Sequence, residues 1–470
     1  MKGIKFGTDG WRAVMCDTFT LENVRVVAQA IADFVLREGE PERGLVIGHD
    51  TRFFAEEFAS ACASVLLGNE IPVYLARRAM PTPITAYCIK LCDAAGAIML
   101  TASHNPPEYN GIKFIPEYAG PATPEITSQI ERNIERIKES GKILQASLES
   151  TLIHYIDPLP KYIDRLKNLV DFEILKRGKL KVVLDPMYGA GQGIMAQVFK
   201  EAGCSVHAIH DYRDVLFGGT LPDPTSENLR ELSSLVRRKE ADLGLALDGD
   251  GDRFGVIDSN GVYLSPNRVL PLVGLHLLKE KGLKGIVVRS IATTHMLDVI
   301  ARRFGVQVVE TPVGFKYIGQ IMREKSVVLG GEESGGLSIM GHIPEKDGIL
   351  ADLLVAEIVA HQERPLSELL EGLYAEYGDF FSERLDVEYP RDKKVALLET
   401  LKSNPPLSIG GLKLQDVLAR DGVKYLFEGG DWILIRPSGT EPLVRVYIET
   451  HTKEKFHELK KYAQRLLDHF

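Results

Sequence analysis

The chain has no uninterrupted apolar stretch approaching the ~18 to 20 residues that a membrane-spanning helix requires. Its first residues, MKGIKFGTDG, have no apolar core of the kind found in secretory signals. A soluble protein working away from membranes is therefore expected. Cysteine is scarce: Cys16, Cys62, Cys88, Cys92 and Cys204 make an odd set of five without metal-type spacing. That excludes a disulfide scaffold and a thiolate zinc site, and fits a reducing cytoplasm. Cys88 and Cys92 stand four apart on an expected helix and read as packing residues. There is no basic tract, and 56 Lys+Arg against 65 Asp+Glu leave a formal charge of −9. A nucleic-acid or anionic-membrane partner is not expected, and an anionic substrate would have to be met by local basic residues. No low-complexity linker separates the parts of the chain, so its domains should touch around a shared cleft, where binding sites usually lie.

What is present is ordinary for a folded enzyme: 470 residues, 44% hydrophobic and 26% charged. That length is about three times that of a usual domain. Short apolar runs alternate with amphipathic stretches. GLVIGHD at 44–50 precedes AEEFASACASVLLG, and the rhythm of strand, loop, helix and strand returns at 179–206 and 284–312. Three similar α/β units are implied, at 1–150, 151–258 and 259–372. Residues 373–470 hold two β-like runs around a polar loop and then a helical segment, which predicts a smaller α+β domain. The fold class is thus three mixed α/β domains and a C-terminal α+β domain around a central cleft.

Two loops carry chemistry. TASHNPPEYNGIKF at 101–114 follows an apolar strand and sets Ser103 on a turn stiffened by two prolines. A serine hydroxyl needs a nearby base, cationic neighbours and a metal to take part in phosphoryl transfer, and His104 and Lys113 are the local candidates. Taken alone, a Ser-His pair in a proline turn is more often a backbone cap. DGDGDRFG at 248–255 puts Asp248, Asp250 and Asp252 at alternate positions of a tight glycine turn. Three hard oxygen ligands with positions to spare suit Mg²⁺. Arg253 stands where a calcium-binding EF-hand loop needs its sixth-position glycine, which argues against that motif.

Two further loops are less telling by themselves. GGEESGGLSIMGHIPEKDGI at 330–349 presents acids and a serine between glycines, and bare of context it is also an exposed polar loop. RPSGTEPLVR at 436–445 offers Arg436, Ser438, the Gly439 and Thr440 amides and Arg445, a donor set able to wrap a phosphate.

Together these strings resemble, in order and spacing over nearly the whole chain, the signatures of the α-D-phosphohexomutases, the phosphoglucomutase and phosphomannomutase family. The resemblance implies that Ser103 is phosphorylated and that Asp248, Asp250 and Asp252 hold Mg²⁺ with the Ser103 phosphate as a further ligand. It implies that Arg12 of GTDGWR neighbours the phosphoserine and that Arg253 braces the transferring phosphate, while Arg52 of GHDTR is as readily a structural ion-pair partner. Lys113 is the expected general base. Glu332 and Ser334 would take two ring hydroxyls, with His342, Lys346 and Asp347 nearby. GEES followed by HIPEKDG looks closer to the phosphoglucomutase pattern than to those of bacterial phosphomannomutases or phosphoglucosamine mutases, and the aromatic-lysine pair ending in Lys316 of TPVGFK likewise departs from the phosphomannomutase pattern. The implied reaction exchanges glucose 1-phosphate and glucose 6-phosphate through glucose 1,6-bisphosphate, with phosphomannomutase or dual specificity as the alternative. The expected assembly is a monomer or small homo-oligomer. A phosphatase and a silent sugar-phosphate sensor are the competing classes, and a sensor has no need of a serine, a lysine and three aspartates together.

Overall fold

A computed structural model describes residues 4–7, 10–438 and 442–468. Its first three sheets share one strand pattern. In the first, Tyr109–Pro116, Gly96–Leu100, Leu45–His49 and Val73–Ala76 lie side by side. The second repeats this with Phe254–Asp258, Leu243–Leu247, Lys181–Asp185 and Ser205–Ala208, and the third with Leu337–Ile339, Val327–Gly331, Ile286–Ser290 and Val308–Thr311. In each, the outer strand is antiparallel and the other three are parallel. The parallel strands are apolar runs because helices cover both faces; Leu45–His49, Gly96–Leu100 and Leu243–Leu247 are buried along their whole length.

This repetition places the chemistry. The connections running from the last parallel strand into the antiparallel one are residues 101–108, 248–253 and 332–336, which hold Ser103, the three aspartates and the Glu332 segment expected to face the sugar, each at the carboxyl end of its parallel strand. Ligand sites of open α/β sheets gather at such ends.

The three units are not separate beads. A single hydrophobic core runs from Val46 and Met99 through Leu184 and Leu245 to Leu353 and Leu373. The helix Gly348–Gln362 is buried on every side from Gly348 to Ala360, and packs against strands of both the second and third sheets. The C-terminal sheet orders Phe381–Glu388, Leu443–Thr450, Trp432–Pro437, Val423–Phe427, Leu412–Leu418 and Ser408–Ile409, all antiparallel, with its own core. A small cluster of Ile291 and Ala292 with Trp432, Leu434 and Tyr447 docks it on the third unit.

Two sheet edges overrun the boundaries expected from sequence. Ile153–Ile156 joins the first sheet parallel to Val73–Ala76, past residue 150, and Tyr263–Leu264 joins the second beyond residue 258. Both are edge strands too short to show a period of their own.

Candidate functional site

Ser103 sits at φ +51°, in the left-handed region that a non-glycine residue enters at a cost. The surrounding loop compensates. Thr101 Oγ1 accepts the Ser103 N–H at 2.8 Å, and Arg52 donates to the carbonyls of Ser103, Asn105, Pro106 and Tyr109 at 2.7 to 3.0 Å. Arg52 is fully buried, its Nε on Asp50 at 3.1 Å and its guanidinium over the Phe217 ring at 4.9 Å. The residue read as an ion-pair partner is therefore the clamp of the serine loop. Arg12 donates to Asn105 Oδ1 at 2.8 Å on the same turn.

The clamp aims the serine at the second unit. Ser103 Oγ donates to Asp248 Oδ2 at 2.8 Å and lies 3.3 Å from His104 Nδ1. The aspartate loop comes this close because position 249 is glycine: a Cβ there would fall 2.5 Å from the Ser103 carbonyl oxygen. Asp248 Oδ1 in turn accepts the N–H groups of Asp252 and Arg253, both at 3.0 Å. Lys113 Nζ bridges Asp250 at 2.8 Å and Asp252 at 3.1 Å, and Lys346 Nζ meets Asp252 at 3.0 Å. Thr82 donates to Asp250 through both its hydroxyl, at 2.6 Å, and its N–H, at 2.8 Å. Arg253 reaches Asp223 at 3.3 Å.

The electrostatics call for another cation. The three aspartates are buried, with ligand oxygens within 4.8 Å of one another. Burial, reinforced by Asp250 and Asp252, pushes the Asp248 carboxyl well above its ordinary range. For Asp252 burial works the same way, but Lys346, Lys113 and Arg253 outweigh it and hold the group low. Asp250 Oδ1 and Asp252 Oδ1 are buried without a hydrogen-bond donor. Such oxygens are costly unless something positive meets them, and a hard divalent cation fits the donor set. Burial first, then the charges of Arg253 and Arg12, push the His104 pKa well below the usual imidazole value.

In the third unit Glu332 is buried and accepts the Gly314 N–H on Oε1 at 2.7 Å, while Ser334 is half-buried. Lys316 is half-buried with its Nζ 5.2 Å from the Tyr317 ring centre. Lys346 belongs to two loops: its ammonium is on Asp252, and its stem passes so near Gly336 that a Cβ there would meet Lys346 Cδ at 2.4 Å. His342 and Asp347 are architectural. Asp347 caps the helix Gly348–Gln362 at Leu350 and accepts from Tyr162 at 2.7 and 2.8 Å, with His342 Nε2 at 2.9 Å.

On the fourth domain, Arg436 Nε donates to Asp421 Oδ1 at 2.9 Å, Lys394 donates to the Ser438 carbonyl at 2.7 Å, and Arg445 Nε lies 3.8 Å from Asp386. Gly439 and Thr440 lie outside the described residues. Arg384, which pairs with Asp386 at 2.6 and 2.7 Å, has Glu333 of the sugar loop among the charges that raise its pKa. The sequence reading missed Arg52, Thr82, Asp421 and Arg384 in these roles. Only the proximity of GHDTR to an apolar strand end hinted at the first.

Comparison with known proteins covers the same ground domain by domain. Profiles of the phosphoglucomutase/phosphomannomutase α/β/α domains I, II and III match residues 3–141, 160–261 and 265–377, and the profile of the C-terminal domain matches 385–465. A phosphoglucomutase/phosphomannomutase of Thermococcus kodakarensis is 33% identical over 99% of each chain, and a probable phosphoglucosamine mutase of the same organism is 34% identical over 99% of this chain and 98% of its own. A protein of Thermus thermophilus with a solved crystal structure is 33% identical and superposes with a TM-score of 0.86 over 99% of both chains. Four domain signatures in order, with full-length relatives of like sequence and fold, establish that the chain belongs to the phosphoglucomutase/phosphomannomutase family.

Proposed function

We propose that this phosphohexomutase moves a phosphoryl group between C1 and C6 of glucose through a phosphoserine at Ser103, by way of glucose 1,6-bisphosphate. The observation that carries the reading is the buried Ser103 Oγ, 2.8 Å from Asp248 in a triad of carboxylates. Asp248, Asp250 and Asp252 would hold Mg²⁺, which when bound supplies positive charge to the phosphoryl oxygens.

In the first transfer the serine O–P bond breaks as a bond forms from phosphorus to a sugar hydroxyl, which gives up its proton, and the serine oxygen takes one; in the second a sugar O–P bond breaks as phosphorus bonds to the Ser103 oxygen, whose proton passes to the departing sugar oxygen. Lys113, ion-paired with both Asp250 and Asp252, is disposed as an ammonium, which suits it to steadying the departing serine oxygen and giving it a proton. To act as the general base it would first have to lose a proton. His104, with Nδ1 3.3 Å from Oγ, is the other group placed to exchange that proton. Arg12 and Arg253 would steady the transferring group, and Glu332, Ser334, Lys316 and Lys346 would orient the sugar. Arg436, Ser438, Gly439, Thr440 and Arg445 would take the phosphate that is not reacting. The bisphosphate turns over and returns its other phosphate to Ser103.

A second reading, glucosamine phosphate as substrate, is favoured by relatives named probable phosphoglucosamine mutases at 32 to 34% identity. Steady-state kcat/KM for the 1-phosphates of glucose, mannose and glucosamine, with Mg²⁺ and a trace of each matching 1,6-bisphosphate, separates these. A marked glucose preference is expected. A glucosamine preference overturns the glucose assignment, and inorganic phosphate released in step with substrate loss makes the protein a phosphatase.

A further inference from the structure

The recognition half of the cleft contains a continuous relay of hydrogen bonds between two domains. Asp421 stands in the loop before the strand Val423–Phe427 of the C-terminal domain. Its Oδ1 accepts Arg436 Nε at 2.9 Å, and its Oδ2 accepts the N–H of Val313 in the third unit, also at 2.9 Å. The next residue, Gly314, donates its N–H to Glu332 Oε1 at 2.7 Å. The two N–H groups flank Val313, and Gly314 follows at φ +126°, a conformation that glycine alone adopts readily. One carboxylate thus touches the arginine expected to hold a phosphate, and through the backbone of the single residue Val313 it reaches the glutamate expected to hold a sugar hydroxyl.

We infer that Asp421 is a positioning residue that sets the distance between the phosphate-holding Arg436 and the sugar-holding Glu332, so that a hexose phosphate is read as one rigid object. The inference rests on the substrate reading above. Contact through Nε leaves both terminal NH₂ groups of Arg436 out of the Asp421 bond, and these make the forked surface that matches a phosphate. The same spacing serves both orientations of a bisphosphate, because a phosphate lies at either end of it. The junction is otherwise well anchored by Lys424, which donates to the Ile291 carbonyl at 2.8 Å beneath the Trp432 ring. Removing Asp421 should therefore loosen the register while leaving the domain docked.

The test compares wild type, Asp421→Ala, Asp421→Asn, Arg436→Ala and Glu332→Gln. Titration with inorganic phosphate is read by calorimetry, and hexose phosphate turnover by kinetics. Asp421→Ala should raise KM about tenfold or more with a much smaller change in kcat, and should weaken inorganic phosphate by a similar factor. Asp421→Asn keeps one acceptor oxygen for Val313, and should recover part of the loss. Residues 421 and 332 do not touch, so a merely structural Asp421 would give additive effects in Asp421→Ala/Glu332→Gln, whereas the relay predicts a double variant at least about fivefold better than additive. Additivity, or a fall in kcat with unchanged KM, overturns the inference. If Arg436→Ala binds inorganic phosphate as wild type does, it is the phosphate-loop reading that fails. If Arg436→Ala loses phosphate and Asp421→Ala does not, the relay fails while that reading stands. Thermal unfolding of Asp421→Asn within a few degrees of wild type confirms that a folded protein was measured.

Discussion

The two halves of the cleft are built differently. Where the first and second units meet, the reactive groups are buried and tied across the boundary: Ser103 to Asp248, Lys113 to Asp250 and Asp252, Thr82 to Asp250. Where the third unit meets the C-terminal domain, Glu332, Lys346 and Ser438 are buried but Ser334, Lys316, Arg436 and Arg445 are half-buried, and Asp421 ties the two units together at Val313. The first arrangement suits groups that must not move during phosphoryl transfer, since misplacement there acts directly on the barrier. Under the proposed reaction, the second suits a surface that would release a bisphosphate, let it turn and grip it again. A shared core continues through the first three units but not into the fourth, whose core is its own.

The contrast can be broken at several points. Ser103→Ala should have the largest effect, lowering mutase turnover by on the order of 10⁴-fold or more while hexose phosphate still binds, as seen by calorimetry. Turnover within tenfold of wild type would end the covalent mechanism. Arg52→Met comes next. It strips the donor from four serine-loop carbonyls and leaves Asp50 without its buried partner, so urea unfolding should show a loss of about 3 kcal/mol or more, with activity falling alongside. A stable but inactive variant would mean that Arg52 tunes the site without holding it together.

On the proposed recognition side, Glu332→Gln should raise KM for glucose 1-phosphate by about tenfold with kcat little changed, because the acceptor proposed for a ring hydroxyl is weakened. An equal fall in kcat would place Glu332 in the rigid, reactive half instead. The smallest effect is at the docking junction. Burial, opposed by Glu310, lowers Lys424 to about 8 from the ordinary lysine range. Above that value the unfolded chain keeps a proton that the folded chain has shed, so folding stability rises with pH until the unfolded lysine also titrates. Compared with Lys424→Met in urea melts, the wild type should gain up to about 1 kcal/mol between about pH 8 and about pH 9. A flat difference would show that water reaches the junction.

How much of this was legible beforehand depended on how local each feature is. The serine and aspartate loops are contiguous strings whose residue types already state their chemistry, and the three-fold repeat showed because strand, loop and helix recur within short windows. Ile153–Ile156 and Tyr263–Leu264 were not legible, since a strand of two to four residues at a sheet edge has no readable period. Arg52 was undervalued because the carbonyls it binds lie about fifty residues onward, at Ser103 to Tyr109. His342 and Asp347 drew attention as neighbours of the sugar loop, yet they serve a helix cap and Tyr162, nearly two hundred positions away in sequence.

By itself the sequence determined the family of the chain and the groups it carries, because a serine in a stiffened turn and three aspartates on one glycine loop are properties of short segments. The tertiary structure alone decided which groups meet. It brought Asp248 to Ser103 across 145 positions and Asp421 to Val313 across 108. Such pairings are set by how sheets share a core and how domains dock. These are sums of many weak contacts between distant residues, and no local run of letters records them.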